Sequence, residues 1–453
     1  MMRLIHSSLI FTLFLLAGAS HGQSIQGLGF LDGDPNNTAT ILALSANGRV
    51  AVGVTQTPDG TRAFRWTEET GIVSLGTLPS SGTGASASRA EAVSADGSVI
   101  VGSNRGPDTT QAFVWTEADG MVGLGVIGGD GATSELSAIS DDGNRALGSS
   151  GVPFGGTGDG VRWEGGTELI ALEGPTLGFS NLDMRAISAD GSAGIGTGFT
   201  ESGSVPVLWT PAGGIQRFDA LVGTRRLRAI SADGSVVAGE TGVASDSKPF
   251  RWTESGGLEL LDTFPTSLGN PQVYALSSDG SVAAGQDGTP KTGIDGVLWD
   301  ADGAIHRLDD VLPSDYGIDL EGWIIGTVID MTPDGRVLVG NGSNPDGVRE
   351  VYRVELFPPT SDEPGVPESI GLAVAPNPTS GASRITLSLI ASEDVHVAVV
   401  DVLGREVAVL HDGRLAAGNY GFALNAGGLA TGMYTVRAET ETGVSVHQMT
   451  VVR

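Results

Sequence analysis

One six-residue phrase, close to Ala-Ile-Ser-Ala-Asp-Gly, returns along this chain and limits its fold more than any other feature. It reads Ala43 to Gly48, Ala92 to Gly97, Ala138 to Gly143, Ala186 to Gly191, Ala229 to Gly234 and Ala275 to Gly280. A degenerate seventh copy is Asp330-Met331-Thr332-Pro333-Asp334-Gly335. The turn glycines step by 49, 46, 48, 43, 46 and 55 residues, the length of a four-stranded propeller blade.

Each unit repeats one grammar. Asp-Gly or Asn-Gly is a hairpin signal because a type I′ turn needs positive φ at both central residues, and the Ser two places earlier can satisfy a turn amide. An apolar stretch ending in Gly follows, as in Val50-Ala51-Val52-Gly53, and reads as strand B. Strand C carries an aromatic, and six of the seven tryptophans (Trp66, Trp115, Trp163, Trp209, Trp252 and Trp299) occupy one position of it. Strand D follows a polar turn, as in Ile72-Val73-Ser74-Leu75-Gly76. The seventh unit stops after strand C at Val351-Tyr352-Arg353-Val354, whereas Gly27 to Leu31 reads as an orphan strand D before the first unit. Pairing the two closes a ring and removes both sheet edges. The sequence therefore predicts an all-β chain: a seven-bladed β-propeller over residues 23–357, followed by a small Ig-like β-sandwich over residues 370–453.

The repeats resemble the HAF family of probable extracellular repeats, over about residues 25–357. The triplet that names that family stands here as Arg62-Ala63-Phe64 and Gln111-Ala112-Phe113, without the His. The resemblance implies export and repetition, and no reaction.

Two further segments concern export. Residues 1–22 pair Arg3 with the apolar run Leu9 to Leu16 and the small residues Ala17-Gly18-Ala19-Ser20, the pattern of a cleavable signal peptide. The run is shorter than the roughly 20 residues of a membrane span, and no span is expected in the mature chain. With no cysteine, a lipid anchor on sulfur, a disulfide framework and a thiolate metal site are all excluded. Residues 358–369 hold four prolines and read as a linker. Beyond them Pro376-Asn377-Pro378, Asp401 to Arg405 with Gly404, Gly418-Asn419-Tyr420, and Gly432-Met433-Tyr434 resemble the type IX secretion C-terminal sorting domain. That resemblance implies recognition by the outer-membrane translocon after periplasmic transit, processing near the linker, and release or attachment to surface polysaccharide.

The net charge of −28 falls mostly on the repeats, which argues against nucleic acid or anionic lipid as partners and suits a solvated secreted surface. Catalytic signatures are thin. His306 is the single histidine of residues 23–357, Gly18 to Gly22 is a Gly-x-Ser-x-Gly inside the signal segment, and Gly123 to Gly128 matches a dinucleotide fingerprint with no helix to follow. Asp32-Gly33-Asp34 begins like a calcium loop, but Asn37 and Ala43 stand where Gly and Glu belong. No catalytic set, metal or cofactor is expected. Arg65, Arg162, Arg251 and Arg353 beside the aromatic position read as stems packed between blades with paired heads.

Ligand contacts are expected on the face carrying the longer D-to-A and B-to-C connections. The longest precedes the last blade and contains Asp315, Tyr316, Asp319, Glu321 and Trp323, although packing of Trp323 is the favoured reading. Two functions follow: a non-catalytic binder of protein or glycan at the cell surface, or a carbohydrate-active enzyme working through Asp315, Asp319 and Glu321. The second needs two carboxyl groups roughly 5 to 10 Å apart in one cleft.

Overall fold

The computed structural model describes residues 25–356, except 80–85, 108, 153–157, 173–177, 202, 243–246, 270 and 290–292, and residues 371–452, except 376–378, 380, 390–392, 402–404, 416–417 and 441–443. The chain divides into two compact units at Pro359 and Thr360.

Among the described residues the first unit contains seven four-stranded antiparallel sheets, six of them formed by consecutive strands. Their first strands, here called A, are Ala39–Leu44, Ala87–Val93, Thr133–Ile139, Asn181–Ile187, Thr224–Ile230, Gln272–Leu276 and Ile324–Met331, for sheets 1 to 7. Each strand A packs on strand A of the neighbouring sheets, and sheet 7 returns to sheet 1, so the strands A form an inner ring. The fourth strand of sheet 7 is Ile25–Gly27, paired with Tyr352, Arg353 and Val354. The closing strand thus starts two residues ahead of the expected Gly27 to Leu31, and Leu28 adds one more bond to Val351 before the chain bends away.

Packing between sheets explains why the aromatic and apolar positions recur. Seven separate apolar clusters lie one at each junction; Phe64 and Trp66 of sheet 1, for example, pack with Val337, Val339 and Val351 of sheet 7. Phe64, Phe113, Phe250 and Tyr352 are fully buried at equivalent places on strand C. Of the four arginines beside this position two reach the next sheet, Arg251 donating to the Ser281 and Ala301 carbonyls and Arg353 to the Gly48 carbonyl. Arg162 instead bonds the Ala171 carbonyl of its own sheet, and the buried Arg65 Nε has no partner among the described residues, against the expectation of paired heads.

Strand B runs on past the glycine that seemed to end it, as in Ala51–Thr57 with Gly53 third. That glycine has a different cause. Strand A carries a bulge in every sheet, skipping Leu42, Glu91, Ser137, Arg185, Arg228, Tyr274 and Ile329 respectively. The bulge drives a strand A carbonyl into strand B, so a Cβ at Gly285 would stand 1.9 Å from the Gln272 oxygen.

The repeated turn is held by its own side chains. In sheet 2 the Ser94 hydroxyl donates to Asp96 and accepts from the Val99 amide, while Asp96 accepts from the Ser98 amide. At the fifth copy the Ser235 hydroxyl, then the Ser235 amide and the Ser231 hydroxyl, hold Asp233 down to about 2. The turns also join one another through backbone bonds, Asn47 to Ala95, Ala95 to Asp141, Asp141 to Ala189, Ala189 to Ala232, Ala232 to Ser278 and Ser278 to Pro333. Pro333 has no N–H and cannot pass the chain of bonds to sheet 1. At that seam Asp330, standing where the other six copies have Ala, accepts from the Leu44 amide of sheet 1 at 2.8 Å and from the Met331 amide at 2.8 Å.

The second unit is a two-layer sandwich. A sheet of Gly371–Ala375, Ala382–Leu389 and Gly418–Asn425 faces one of Glu393–Val400, Glu406–Leu415, Gly432–Thr440 and Val444–Val451. Ile385 and Leu387 from one layer and Val397, Val399, Val436 and Met449 from the other share one core.

Candidate functional site

Register sorts the inner strands into a constant and a variable set. Two places before the repeated Ala, the residues Ile41, Ala90, Leu136, Met184, Leu227, Val273 and Val328 are all buried. On either side of that position the residues change from copy to copy: Arg89 and Glu91, Glu135 and Ser137, Asp183 and Arg185, Arg226 and Arg228, Gln272 and Tyr274 in sheets 2 to 6. These side chains meet one another. Arg89 pairs with Glu91, Arg185 donates to Asp183 Oδ2 at 2.6 Å, and Arg228 donates to Gln272 Oε1 at 2.9 Å while its guanidinium lies 5.6 Å over the Tyr274 ring. Burial pushes Glu135 upward and Glu91 adds to the push, against the pull of Arg185.

Two adjoining clefts open where these strands begin, on the side of the D-to-A and B-to-C connections. The first, about 290 Å³, is lined by Thr110, Thr133, Asn181 and Ser149, whose hydroxyl has no partner among the described residues, together with the Glu135 carboxyl. Ser134 and Ser150 lie beneath, their hydroxyls bonded to backbone. The second, about 390 Å³, lies between sheets 4 and 5 and collects Arg185, Arg225, Arg226 and Arg228 with Thr197 and Ser204. Asp183 and Phe199 line both, so they form the divide. Phe199 is 38% exposed, which leaves an aromatic surface free beside the hydroxyl-rich wall. A wider depression of about 1090 Å³ lies on the opposite, tight-turn side, where Phe218 and Trp252 meet edge to face at 4.9 Å.

The loop singled out from the sequence is placed elsewhere. Asp315 ends the helix Leu308–Asp315 and accepts from the Ser314 hydroxyl at 2.7 Å, and Asp319 accepts from the Glu321 amide at 2.9 Å. Asp315, Asp319 and Glu321 are exposed, and none lines the clefts above. Tyr316 packs against the core between sheets 6 and 7, where Trp323 is buried edge-on to Tyr352 at 6.3 Å. Trp323 is thus a packing wedge. His306 bonds Asp300 at 2.7 Å across one hairpin. Among the described residues no group of three or more His, Asp or Glu is arranged to hold a metal ion. Reading the repeats at the Ala position and comparing the residues one and three places before it would have found the arginine cleft.

In the sandwich, Asp401 and Arg405 bracket a turn: the Arg405 amide donates to Asp401 Oδ1 at 3.0 Å, its Nε to Oδ2 at 2.8 Å, and the Asp401 amide to the Arg405 carbonyl at 2.9 Å. Gly418 and Gly432 begin strands paired to Leu389 and Val451, Tyr420 packs on the core, and the Tyr434 hydroxyl donates to the Ala430 carbonyl at 2.9 Å. Pro376, Asn377, Pro378 and Gly404 lie outside the described residues, as do residues 1–22 and the linker 358–369. Residues 373–452 match the secretion system C-terminal sorting domain. The chain carries a sorting domain for type IX secretion. This domain directs export to the cell surface or outside, by way of the type IX machinery. No helix among the described residues is long and apolar enough to cross a membrane.

No curated protein matches this sequence. Among solved structures, the chain is similar to an oligogalacturonate lyase from Vibrio parahaemolyticus at 10% identity, over 74% of this chain and 94% of that one, with a TM-score of 0.49. It is similar to a putative TolB from Agrobacterium tumefaciens at 15% identity, over 68% and 99%, with a TM-score of 0.35. Prolyl oligopeptidase B from Galerina marginata shares 12% identity over 78% and 56%, with a TM-score of 0.48.

Proposed function

We propose that this is an exported, non-catalytic binding protein whose ring takes up an extracellular glycan on the face of the D-to-A and B-to-C connections. In this reading residues 1–22 are a signal peptide, residues 23–357 a seven-bladed β-propeller of the HAF type, residues 358–369 a linker where processing occurs, and residues 370–453 an Ig-like sandwich read by the export machinery. Seven sheets closed by Ile25–Gly27 support the blade count.

The observation that carries the binding reading is the hydroxyl- and amide-lined cleft of Thr110, Thr133, Ser149 and Asn181 beside the exposed Phe199 ring. Sugars are recognised by such a combination, because an aromatic face covers the apolar C–H side of the ring while side-chain donors and acceptors replace water at its hydroxyls. A protein ligand of standard size would need a larger continuous patch.

Fractionation of the native host with intact-mass analysis tests the export half. The expected species is found on the surface or in the medium, lacking about the first 22 residues and everything beyond the linker. A periplasmic protein with an intact C-terminal unit overturns it. A glycan array probed with the exported protein tests the binding half, and turnover of any bound glycan would replace binding with hydrolysis or elimination.

A further inference from the structure

We propose that the arginine cleft between sheets 4 and 5 is a subsite for the acidic groups of a carboxylated or sulfated saccharide, bound by an extended chain that continues into the hydroxyl-lined cleft. The proposal rests on the glycan reading above and adds the charge of the ligand.

The ring region carries a large excess of acid, yet Thr224-Arg225-Arg226-Leu227-Arg228 and Arg185 gather four guanidinium groups in one cleft of about 390 Å³. Two of the four have duties within the protein. Arg228 is tied to the fully buried Glu240 at 3.2 Å and to Gln272, and Arg185 is held by Asp183. Arg225 and Arg226 differ. Neither makes a hydrogen bond or ion pair among the described residues; their charges act on Glu240 only through space, less strongly than Arg228, and Arg226 is exposed. The strand that carries them also leaves the Thr224 hydroxyl buried and unpartnered, and Asp183 Oδ1 is unpartnered at the divide. Two guanidiniums without a hydrogen-bond partner in one cleft, beside two that carboxylates hold in place, supply N–H donors, each in its own planar fork, suited to planar or tetrahedral oxyanions.

Size and surroundings select a short acidic segment over a long polyanion. The cleft is of the order of a few sugar residues, and the hydroxyl-rich wall continues from it past Phe199. Beyond roughly one Debye length, about 10 Å, a nucleic acid would meet the net acid of the ring and be repelled.

The experiment measures calorimetric binding of the full mature chain to an alginate tetrasaccharide, its fully methyl-esterified form and a heparin-derived tetrasaccharide. The expected result is that the acidic probes bind at least tenfold more tightly than the ester, that binding weakens with salt, and that the double variant R225A/R226A removes that preference while leaving ester binding unchanged. Carboxylate and sulfate sources are separated by which acidic probe binds more tightly. Since Arg225 and Arg226 make no internal bond, an unchanged tryptophan unfolding midpoint controls for folding; R225K/R226K retains the charge and keeps part of the preference. Equal affinity for acid and ester, or an unaffected R225A/R226A, overturns this inference alone. Loss of all binding, ester included, in the wild-type chain overturns the glycan reading with it, and tight binding of a short DNA duplex overturns the saccharide assignment.

Discussion

Replacing Asp330 by Ala should shift the stability of the ring in the favourable direction, relative to the parent, by about 2 kcal/mol between acid and neutral pH. The carboxylate sits at the closing seam in the place where six copies have Ala, and burial pushes it up to about 6 from 3.8, against the pull of the Leu44 and Met331 amides. Raising the carboxyl from 3.8 to about 6 corresponds to about 3 kcal/mol, at about 1.36 kcal/mol for each factor of ten in acidity. The residue keeps part of its surface accessible, so solvent screening makes that figure an upper bound. The sign follows from proton counting. Between the unfolded and folded values the native state binds more protons than the unfolded one, so its stability falls as pH rises through that window. Ionised Asp330 therefore opposes closure above about pH 6. Going from about pH 4.5 to about pH 7.5 changes the contribution by about 2 kcal/mol. The assay is urea unfolding followed by tryptophan fluorescence, which reports the ring alone because all seven tryptophans lie between Trp66 and Trp323. The stability of Asp330→Ala relative to the parent should rise by about 2 kcal/mol from the acid to the neutral condition. A difference that does not vary with pH would refute the argument, whatever its absolute size, since loss of the Leu44 and Met331 contacts contributes a pH-independent cost.

The strand B glycines predict a contrast: Gly285→Ala forces a Cβ to within 1.9 Å of a carbonyl and should cost about 3 kcal/mol or more, whereas Gly166→Ala, with open space around it, should stay within about 0.5 kcal/mol by the same fluorescence assay. In the sandwich, His396 is raised by its bond to Glu406 and then by Asp412, so this pairing supports folding below the ordinary histidine value and loses its contribution as pH rises through the raised one. Glu406→Gln should bring the NMR-monitored His396 titration back towards its ordinary value, and an unchanged titration would exclude Glu406 as the cause. Asp401→Ala removes the acceptor of the Arg405 amide and guanidinium and should destabilise the sandwich by about 1 to 2 kcal/mol. The variant should also accumulate in the periplasm, read by immunoblot of cell fractions.

What could be read in the sequence is what every copy must solve in the same way. Asp-Gly turns, buried residues at Phe64 or Leu136, and the Trp position recur because each sheet must close a hairpin and cover one neighbour, so seven repetitions expose the rule. The bulge in strand A was hidden, since nothing in Ala-Ile-Ser marks a skipped residue; only its consequence, the strand B glycine, is visible, and it resembles a strand end. Trp323 was ambiguous for the opposite reason: it occurs once, and a single aromatic in a long connection has no periodicity to place it.

The two clefts are not legible in the repeat pattern because repetition marks sameness, and the residues that line them differ from copy to copy. A ring of identical sheets would present the same groups seven times around its axis. Here the inner positions one and three places before the repeated Ala are neutral in sheets 1 and 7, mixed in sheet 2, acidic in sheet 3, mixed in sheet 4, doubly basic in sheet 5 and amide plus phenol in sheet 6. The buried residue between them stays apolar throughout, so this variation leaves the junction cores intact and is free to follow function. If the acidic-saccharide subsite is real, exchanging these variable residues between sheets should move it around the ring. Exposed Arg226 can be exchanged without touching the Arg228–Glu240 pair, so Arg226→Gln, which installs its sheet 6 counterpart, should fold with an unchanged fluorescence midpoint and lose much of the preference for charged probes. A variant that lost stability instead would show that Arg226, like Arg228, is there to neutralise Glu240, with no ligand to explain.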